Sequence, residues 1–569
     1  MTNLELAVNV LELARRFGVR EFCVGAGFRN SPFLKVLAEN AHVTTLSFFD
    51  ERSAGFFAYG RSKRDERPVA VITTSGTASA ELLPAAIEAH YSSVPLLLIT
   101  ADRPQRFRGT GAPQSIEQPG LFGAYVETSV DLSTDVSFPL RLRWREKRPL
   151  HINVCFDEPL LDGEVPRLAV TDDQTEVSSR ASSEGSGRGP YDGTTSANDD
   201  SEREAPTQIP RSTLGMTPSV QSVTIENFLQ ASRRPLLLLG SLNRIHRAAA
   251  RDLALRLGAP VHAEPLSGLR EDSLLDHLLL RSGERILQRG NFDSVLRIGG
   301  VPALRFWRDL EQAPDVAVLS LSPAPFSGLS RGRHMQGVVS SIINEVAIEA
   351  AIESRIVDEK LFSEDRRMST AIAATIDREP HSELSLLRSL SATIPPHSMV
   401  FLGNSLPIRE WDFIASRDER SLTFDANRGA NGIDGELSTF FGRSEAGRSN
   451  WAILGDLTTL YDLSAPWIVS QLETSTELRI VVINNGGGKI FSRVPGLAGV
   501  DPVARRRLFE TVHSINFRGW AEMWDLHYES WTAVGDPRTL PARAVIEILP
   551  DADATRRLWD DLDALWSRG

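Results

Sequence analysis

The stretch Trp451-Ala-Ile-Leu-Gly455-Asp456-Leu457-Thr458 is an apolar run that ends in a glycine and an aspartate. A second run, Arg479–Ile483, ends about thirty residues later in Asn484-Asn485-Gly486-Gly487. Both runs predict buried parallel strands, and the carboxyl ends of such strands form the usual ligand site of an open α/β sheet. Gly455 would let a phosphate approach the backbone, while Asp456 and Asn485 offer the oxygen ligands that Mg²⁺ prefers.

Either of these two segments alone is well explained as an ordinary turn at a strand end. Their occurrence together, each behind an apolar strand, favours a diphosphate–metal site instead. The amino end of the helix after such a turn also attracts anions. The pair therefore predicts a site for a phosphorylated cofactor.

The rest of the chain repeats a pattern of apolar run, turn and helical spacing. Further strands are predicted at 22–24, 69–72, 96–99, 152–155, 235–239, 294–298, 316–321, 399–402 and 544–548. Helices are predicted at 4–17 (capped by Asn3), at 78–89 and at 353–378. This alternation predicts an α/β fold of three doubly wound parallel-sheet domains in series.

The domain boundaries follow from a change of composition. Residues 171–218 are rich in Ser, Thr, Gly, Asp and Glu and almost free of large apolar side chains, which predicts an acidic low-complexity linker. The predicted domains are residues 1–170, 219–370 and 385–569.

Composition narrows the class of protein. The 569 residues are 41% hydrophobic and 24% charged, which is typical of a globular protein. The net charge is −12, and residues 171–205 carry half of it, so charge gives no support for a nucleic-acid partner. Cys23 and Cys155 lie in apolar runs and predict buried thiols. We expect a cytoplasmic protein, because the start is unlike a signal peptide and no apolar run reaches the ~20 residues of a membrane span.

The pair of motifs resembles the signature of the thiamine-diphosphate-dependent decarboxylases and carboligases, the superfamily of pyruvate decarboxylase and acetolactate synthase. The resemblance implies thiamine diphosphate and Mg²⁺ as cofactors and a pyrimidine-binding, a central and a diphosphate-binding domain. The metal ligands it implies are Asp456, Asn485 and Gly487. The superfamily also needs a glutamate that bonds the pyrimidine ring, and Glu51, which ends the apolar run Leu46–Phe49, fits that role. The alternative for Glu51 is a solvated helix start.

A second cofactor is weighed at the first predicted strand. Gly25-Ala-Gly27-Phe-Arg-Asn30 half-matches a dinucleotide-binding fingerprint. Asn30 occupies the place of the third glycine, however, and Ser31-Pro32 follows. An NAD site is therefore the less favoured reading of this loop.

Several stretches resemble more closely the 2-succinyl-5-enolpyruvyl-6-hydroxy-3-cyclohexene-1-carboxylate (SEPHCHC) synthase family of menaquinone biosynthesis. They are Asp50–Arg52, Thr74–Ala78, Thr100–Pro104, Gln114–Gly120, Gly403–Leu406, Asn427–Gly435 and Gly487–Phe491. The resemblance implies decarboxylation of 2-oxoglutarate and 1,4-addition of the succinyl carbanion equivalent to isochorismate. Since both substrates are acids, arginines should bind them.

The same resemblance assigns roles to individual residues. Arg409 and Arg428 would serve the oxo acid, and Arg29, Arg103 and Gln114 would serve isochorismate, with Arg305 as a loosely aligned contribution of the central domain. Ile433 would bend the cofactor, and Ile490 and Phe491 would cover its thiazolium ring. The cofactor-binding residues implied are Glu51, Ser405, Ile433, Gly455, Asp456, Leu457, Thr458, Ile490 and Phe491.

The chain departs from the family pattern at two positions near the expected acceptor site. Phe28 replaces a small polar residue, and Pro113 stands where an asparagine is usual. These departures leave open a different acceptor, in another thiamine-diphosphate carboligase or decarboxylase. A non-catalytic protein of the same fold is a further alternative. The superfamily places the cofactor between subunits, so we expect a homodimer or homotetramer.

Overall fold

The structure is a computed structural model of the chain. It describes residues 1–165 except 136, 137, 139–141 and 146, residues 167 and 168, residues 220–346, residue 356 and residues 358–567. The predicted acidic linker, 171–218, lies outside the described residues.

The first sheet has six parallel strands in the order β2-β1-β3-β4-β6-β5. Its strands are β1 (Glu21–Gly25), β2 (Thr44–Phe48), β3 (Val69–Thr73), β4 (Leu96–Asp102), β5 (Thr128–Ser133) and β6 (Leu150–Cys155). Its helices are α1 (Asn3–Arg16), α2 (Ser31–Ala38), α3 (Glu51–Asp65), α4 (Thr77–Ala80) and α5 (Leu83–Ser92).

The central sheet has five parallel strands in the order β11-β10-β9-β7-β8. Its strands are β7 (Pro235–Leu239), β8 (Val261–Ala263), β9 (Ser294–Ile298), β10 (Ala317–Ser322) and β11 (Arg333–Gln336). The helices of this region are α6 (Val220–Ala231), α7 (Arg244–Leu257), α8 (Glu284–Arg289), α9 (Arg305–Asp309) and α10 (Val339–Asn344).

The third sheet has six parallel strands in the order β13-β12-β14-β15-β17-β16. Its strands are β12 (Met399–Leu402), β13 (Thr423–Asp425), β14 (Ser449–Gly455), β15 (Glu477–Ile483), β16 (His527–Trp531) and β17 (Arg543–Ile548). The helices are α11 (Glu359–Ile376), α12 (Glu383–Thr393), α13 (Leu406–Ile414), α14 (Glu436–Arg443), α15 (Asp456–Tyr461), α16 (Pro502–Leu508), α17 (Arg518–Met523) and α18 (Ala552–Ser567).

The three parallel sheets with helices between their strands confirm the predicted fold class. The domain boundaries themselves stay a prediction. Two local predictions are wrong. The helix predicted at 78–89 is two helices, α4 and α5, with Pro84 in the first turn of the second. The cap of α1 is Thr2, whose side chain accepts a hydrogen bond from the Glu5 amide, and not Asn3.

The first and third sheets are joined through helices α3 and α14, which pack against each other along their length. Glycines allow this approach: a Cβ at Gly60 would collide with the carbonyl oxygen of Thr439, and one at Gly442 with that of Phe57. α3 is buried from Ser53 to Ser62, as expected for a helix covered on all sides. The two helices are thereby in direct backbone contact, and this contact joins the two sheets.

The central sheet is joined to the third through Arg270, whose side chain is fully buried. Its guanidinium donates to the carbonyl oxygens of Trp411, Asp412 and Ala415 at 2.9–3.2 Å, and to that of Ser416 at 3.3 Å. These carbonyls lie at the carboxyl end of α13, where helix carbonyls lack their regular partners, although that of Trp411 also accepts from the Ala415 amide at 3.1 Å. Arg270 therefore caps a helix of the neighbouring domain.

Among the described residues, no helix combines the length and the apolar character needed to cross a bilayer.

Candidate active site

One cavity lies at the carboxyl edge of the third sheet, where β14 and β15 end. Its walls come from the ends of β14 and β15 and the loops after them, the loop after β12 with the start of α13, the loop before α14 and the first residue of α12. The lining residues are Glu383, Asn404, Ser405, Leu406, Pro407, Ile433, Gly455, Asp456, Leu457, Thr458, Ile483, Asn485, Gly487, Gly488, Lys489, Ile490 and Phe491. Every residue predicted to hold the cofactor or metal lies here, except Glu51.

Asp456 begins α15 directly behind β14 and is buried. Its Oδ2 accepts hydrogen bonds from the amides of Gly486 (2.9 Å) and Gly487 (2.8 Å), and His513 Nε2 lies 3.2 Å from the same oxygen. Burial raises the pKa of Asp456, while these backbone donors and His513 lower it. The amides fix the carboxylate at the point where the two strand ends meet.

The side-chain amide of Asn485 has hydrogen-bond partners at its nitrogen but not at its oxygen. Its Nδ2 donates to both carboxylate oxygens of Glu383, at 2.9 and 3.1 Å. Its Oδ1 is buried without a hydrogen-bond partner. An orphaned buried amide oxygen beside a buried aspartate fits a hard cation such as Mg²⁺.

The predicted metal ligand Gly487 also lies in this cavity. Its carbonyl oxygen accepts a hydrogen bond from the Lys489 amide at 2.8 Å, which leaves its second lone pair for a ligand. Gly487 has φ 131°, and a Cβ there would collide with the carbonyl oxygen of Glu510. The turn after β15 therefore needs glycine at this position. Among the described residues, no group of three His, Cys, Asp or Glu side chains could hold a metal, so a cation here would need oxygens of a bound phosphate as well.

The remaining walls are apolar or backbone. Ser405 has φ 71°, a left-handed conformation that is rare outside glycine, and it stands immediately before α13. Ile433 lies in the loop before α14, while Ile490 and Phe491 lie in the short 3₁₀ helix Lys489–Arg493. Phe491 is 38% exposed, so the cavity is open on this side.

Two of the predicted arginines lie near this cavity. Arg428 Nη1 donates to Asn404 Oδ1 at 2.8 Å, which ties it to a cavity residue. Arg409, on the first turn of α13, donates to the carbonyl oxygen of Ser405. Although Arg409 is exposed as a residue, desolvation and then the positive charge of Arg428 lower the pKa of its guanidinium. The structure therefore brings these two cations together.

Glu51 lies at the carboxyl edge of the first sheet, as the first residue of α3 behind the cap Asp50. Its side chain packs against Gly25 at the end of β1, where a Cβ would lie 2.9 Å from Glu51 Cγ. Burial raises the pKa of Glu51, and the nearby carboxylates of Asp50 and Glu81 raise it further. A carboxyl group with a raised pKa is suited to sharing a proton with a ring nitrogen.

The other first-domain candidates surround the same edge. Arg29 is 6% exposed and donates to the carbonyl oxygen of Phe156 at 3.0 Å. Its pKa is lowered by burial and then by the charge of Arg103, so these two guanidinium groups are neighbours. Arg103 Nε donates to the carbonyl oxygen of Pro113 at 2.9 Å, a contact that any residue type could provide.

Gln114 and Phe28 complete this edge. Gln114 has φ 54°, and a Cβ on Gly76 would lie 3.1 Å from its Cα, so the two loops are in close contact. Phe28 is 72% exposed, which is unusual for a phenylalanine beside two buried or half-buried cations. The departures noted in the sequence therefore both fall at this edge.

The structure does not bring all candidates together. Among the described residues, no hydrogen bond or ion pair joins Glu51 to a residue of the cavity. Arg305 is exposed at the start of α9, paired with Asp309 at 3.4 Å, and does not line the cavity. One chain thus holds two separate clusters of candidate residues.

Sequence reasoning missed several buried carboxyl groups around the site. Glu383 lines the cavity and shares a hydrogen bond with Glu410, and burial raises the pKa of both groups. Glu88 on α5 accepts hydrogen bonds from the loop that carries Arg428. Their partners are distant in sequence, and no local motif signals them.

Comparison with known proteins gives consistent results. Residues 5–121 match the family described as the thiamine pyrophosphate enzyme, N-terminal TPP binding domain, thiamine pyrophosphate being another name for thiamine diphosphate. A solved structure of a Mycobacterium smegmatis protein assigned to the thiamin diphosphate-dependent enzymes superposes with a TM-score of 0.63 at 14% identity. It covers 97% of this chain and 99% of its own, and it supports the fold.

Curated relatives named SEPHCHC synthase cover the chain from end to end. The Bdellovibrio bacteriovorus protein is 40% identical over 100% of both chains. The Akkermansia muciniphila protein is 36% identical over 95% of both chains, and the Bacillus velezensis protein is 30% identical over 96% of this chain and 94% of its own. The chain therefore belongs to the SEPHCHC synthase family of thiamine-diphosphate-dependent enzymes.

Proposed function

We propose that the chain decarboxylates 2-oxoglutarate and adds the remaining succinyl unit to isochorismate, giving SEPHCHC. The observation that carries this proposal is the cavity that brings Asp456, Asn485, Ile433 and Phe491 together in a chain of this family. The orphaned Oδ1 of Asn485 supports a Mg²⁺ ion there, with Asp456 as the second side-chain ligand. The raised pKa of Glu51 supports its role at the pyrimidine ring.

When bound, thiamine diphosphate would supply a nucleophilic carbon that adds to the oxo group and a cationic ring that takes up the electron pair left behind when CO₂ departs. The chain's own residues prepare that chemistry. Gly455 and Thr458 would hold the diphosphate at the amino end of α15, and Ile433, Ile490 and Phe491 would exclude water from the reacting centre. Glu51 would hold a proton against the ring nitrogen.

Each of the two clusters of arginines would bind one of the two anionic substrates. Arg409 and Arg428 would bind the carboxylates of 2-oxoglutarate, because they lie next to the cavity. Arg29, Arg103 and Gln114 would bind isochorismate at the edge of the first sheet. Neighbouring guanidinium groups repel one another, and a dianionic substrate relieves that repulsion.

The proposed reaction is tested by product analysis. The full-length protein with thiamine diphosphate, Mg²⁺, 2-oxoglutarate and isochorismate should yield a product of the mass of SEPHCHC, and Glu51→Gln should yield little. Absence of that product from the wild-type protein would refute the assignment of substrates.

Phe28 and Pro113 support a second candidate function, a carboligase or decarboxylase with a different acceptor. Release of CO₂ from 2-oxoglutarate at the same rate with and without isochorismate would favour that candidate. Calorimetry with thiamine diphosphate and Mg²⁺ tests the non-catalytic alternative, which only the absence of binding heat would favour.

We further propose that the site is completed by a second copy of the chain, in a homodimer or homotetramer. The separation of Glu51 from the cavity within one chain supports this, as does the open side of the cavity at Phe491. In a two-fold dimer, Glu51 of one copy would face Asp456 of the other.

Mixing two inactive variants tests this arrangement. In a mixed dimer of Glu51→Gln and Asp456→Ala subunits, one of the two sites would regain both wild-type residues. Random exchange should therefore restore about a quarter of wild-type activity, because about half of the dimers are mixed. If both residues of a site came from the same chain, mixing would restore nothing.

Location and domain boundaries are also proposals. We propose a cytoplasmic protein, which the two buried, unpaired cysteines Cys23 and Cys155 support. We propose the boundaries 1–170, 219–370 and 385–569, each of which contains one complete sheet.

A further inference from the structure

The loop between β13 and α14 has no regular secondary structure, yet it carries Arg428 and Ile433. Asn404 ties it from within the third domain. The side chain of Asn404 is buried, accepts from Arg428 and donates to the carbonyl oxygens of Asn427 and Gly432, each at 2.8 Å. These bonds fix the two ends of the loop and leave its middle to be held by something else.

The middle of the loop is held by a carboxylate from the first domain. Glu88, on α5, accepts from the Gly429 amide through Oε1 and from the Ala430 amide through Oε2, each at 2.7 Å. Two backbone amides on two carboxylate oxygens define both the position and the orientation of the peptide between them. The residues joined are more than 300 positions apart in the chain.

The Glu88 side chain is itself fixed. It is 3% exposed, and Oε1 also accepts from the hydroxyl groups of Tyr59 (3.2 Å) and Ser92 (3.2 Å). Among the described residues, Glu88 has no ion-pair partner. Hydrogen bonds therefore stabilise its buried carboxylate. A Cβ at Gly429 would collide with the backbone oxygen of Glu88, which shows how closely the loop approaches α5.

We propose that Glu88 is a positioning residue for substrate binding: it holds the Gly429–Ala430 peptide, and through it Arg428, in place beside the cofactor cavity. The inference rests on the proposed function, in which Arg428 binds a carboxylate of 2-oxoglutarate. The first domain of a subunit thereby acts on the oxo-acid site of the same subunit's third domain. This contact is separate from the one in which Glu51 would complete a partner's site.

The test uses the full-length holoenzyme and the variant Glu88→Gln. A glutamine can accept one of the two amides but turns an NH₂ group towards the other. We expect the KM for 2-oxoglutarate to rise about tenfold, with kcat within about twofold of wild type, since a hydrogen bond to a charged group is lost. Hydrogen exchange of peptides covering residues 427–433 should become faster.

The matched control is Arg64→Gln, which removes another hydrogen bond between the first and third domains, from Arg64 to the carbonyl oxygen of Ser444 (3.2 Å), away from the loop. It should leave the KM and the exchange of 427–433 unchanged. An equal rise of KM in both variants, or no rise in Glu88→Gln, would overturn the proposal.

Two further measurements distinguish a failure of the role proposed for Glu88 from a failure of the proposed function. If Glu88→Gln does not fold, Glu88→Asp keeps the charge but cannot reach both amides, and the same KM rise is expected. If wild-type enzyme does not turn over 2-oxoglutarate, the proposed function fails. The exchange experiment then still decides whether Glu88 holds the loop, and unchanged exchange would refute it.

Discussion

The first and third sheets have the same strand order when each is counted from its own first strand, yet their carboxyl edges differ in chemistry. The third sheet ends in a cavity of oxygen ligands and apolar side chains around Asp456 and Asn485. The first ends in a carboxyl group, Glu51, and the arginines Arg29 and Arg103 on loops. The shared topology determines where a ligand can lie, and the side chains determine which part of it each edge can hold.

The largest expected effects distinguish the edge of the third sheet, which would bind the cofactor's metal, from the edge of the first sheet, which would transfer a proton. Asp456→Ala should weaken binding of thiamine diphosphate and Mg²⁺ by at least about 100-fold, because it removes a proposed ligand of the metal. Glu51→Gln should retain that binding within about tenfold but lower turnover by roughly 10²–10⁴-fold, as expected for loss of a proton-transfer group. Calorimetry and CO₂ release measure the two quantities.

Loss of cofactor binding in Glu51→Gln as complete as in Asp456→Ala would remove the distinction between the edges. A variant of an exposed residue remote from both, such as Arg538→Gln, serves as the control for handling and stability.

The next prediction divides the substrates between the edges. Arg409→Met should raise the KM for 2-oxoglutarate by about 10- to 100-fold and leave that for isochorismate nearly unchanged, since a charged hydrogen bond is lost on one side only. Arg103→Met should do the reverse. Steady-state kinetics with each substrate varied in turn would show the two patterns, and the same pattern in both variants would contradict the division.

The central domain contains a buried carboxyl group, Glu264, which should affect how the free energy of unfolding depends on pH. Burial raises the pKa of Glu264, just after β8, to about 7. Between pH 4.5 and 7 the folded protein therefore binds a proton here that the unfolded chain releases, so this group makes the free energy of unfolding fall as pH rises. In Glu264→Gln this contribution is absent.

We expect the stability of Glu264→Gln relative to wild type to increase from pH 4.5 to 7 by at most about 3 kcal/mol. Denaturant unfolding at several pH values would measure the difference, in which the other titrating groups cancel. A constant difference across that range would show that Glu264 titrates normally.

The smallest expected effect concerns the orientation of the Asn485 side chain at the carboxyl edge of the third sheet. In Glu383→Gln an amide replaces the carboxylate that accepts from Asn485 Nδ2, so the Asn485 amide can turn over. We expect Mg²⁺ affinity to fall about tenfold, as for residues that orient metal ligands. Glu379→Gln, which breaks an exposed ion pair with Arg557, is the control, and equal affinities in both variants would contradict the role of Glu383.

The central strands of all three sheets could be predicted from the sequence, whereas most edge strands could not. β3, β7 and β15 are almost entirely buried and contain the apolar runs 69–72, 236–239 and 480–483. The edge strands β5, β11 and β16 are largely half-buried or exposed, so their sequences lack such runs. A strand that is paired on one side only is defined by its neighbour and leaves a weak local signal.

The residues of the candidate site also differ in whether the sequence could predict them. The diphosphate and metal part of the third-sheet cavity could be predicted because Asp456 and Asn485 follow two strands within about thirty positions and offer the same oxygen chemistry. Glu88 and Glu383 could not, because what they do depends on partners 341 and 102 positions away. The cap of α1 shows the same limit locally: Thr2 and Asn3 are both good caps, and tertiary contacts decide, since Asn3 donates to the carbonyl oxygens of Asp157 and Pro159.

Arg270 limits how far this chain could be reduced to a minimal enzyme. Excision of the central domain would remove the donor that Arg270 supplies to the carbonyl oxygens of Ala415 and Ser416 at the end of α13, at a cost of roughly 1–3 kcal/mol for each group that stays buried. The other end of that helix supplies Leu406 and Pro407 to the cofactor cavity. A two-domain derivative would therefore need a replacement for this one guanidinium before it could bind its cofactor.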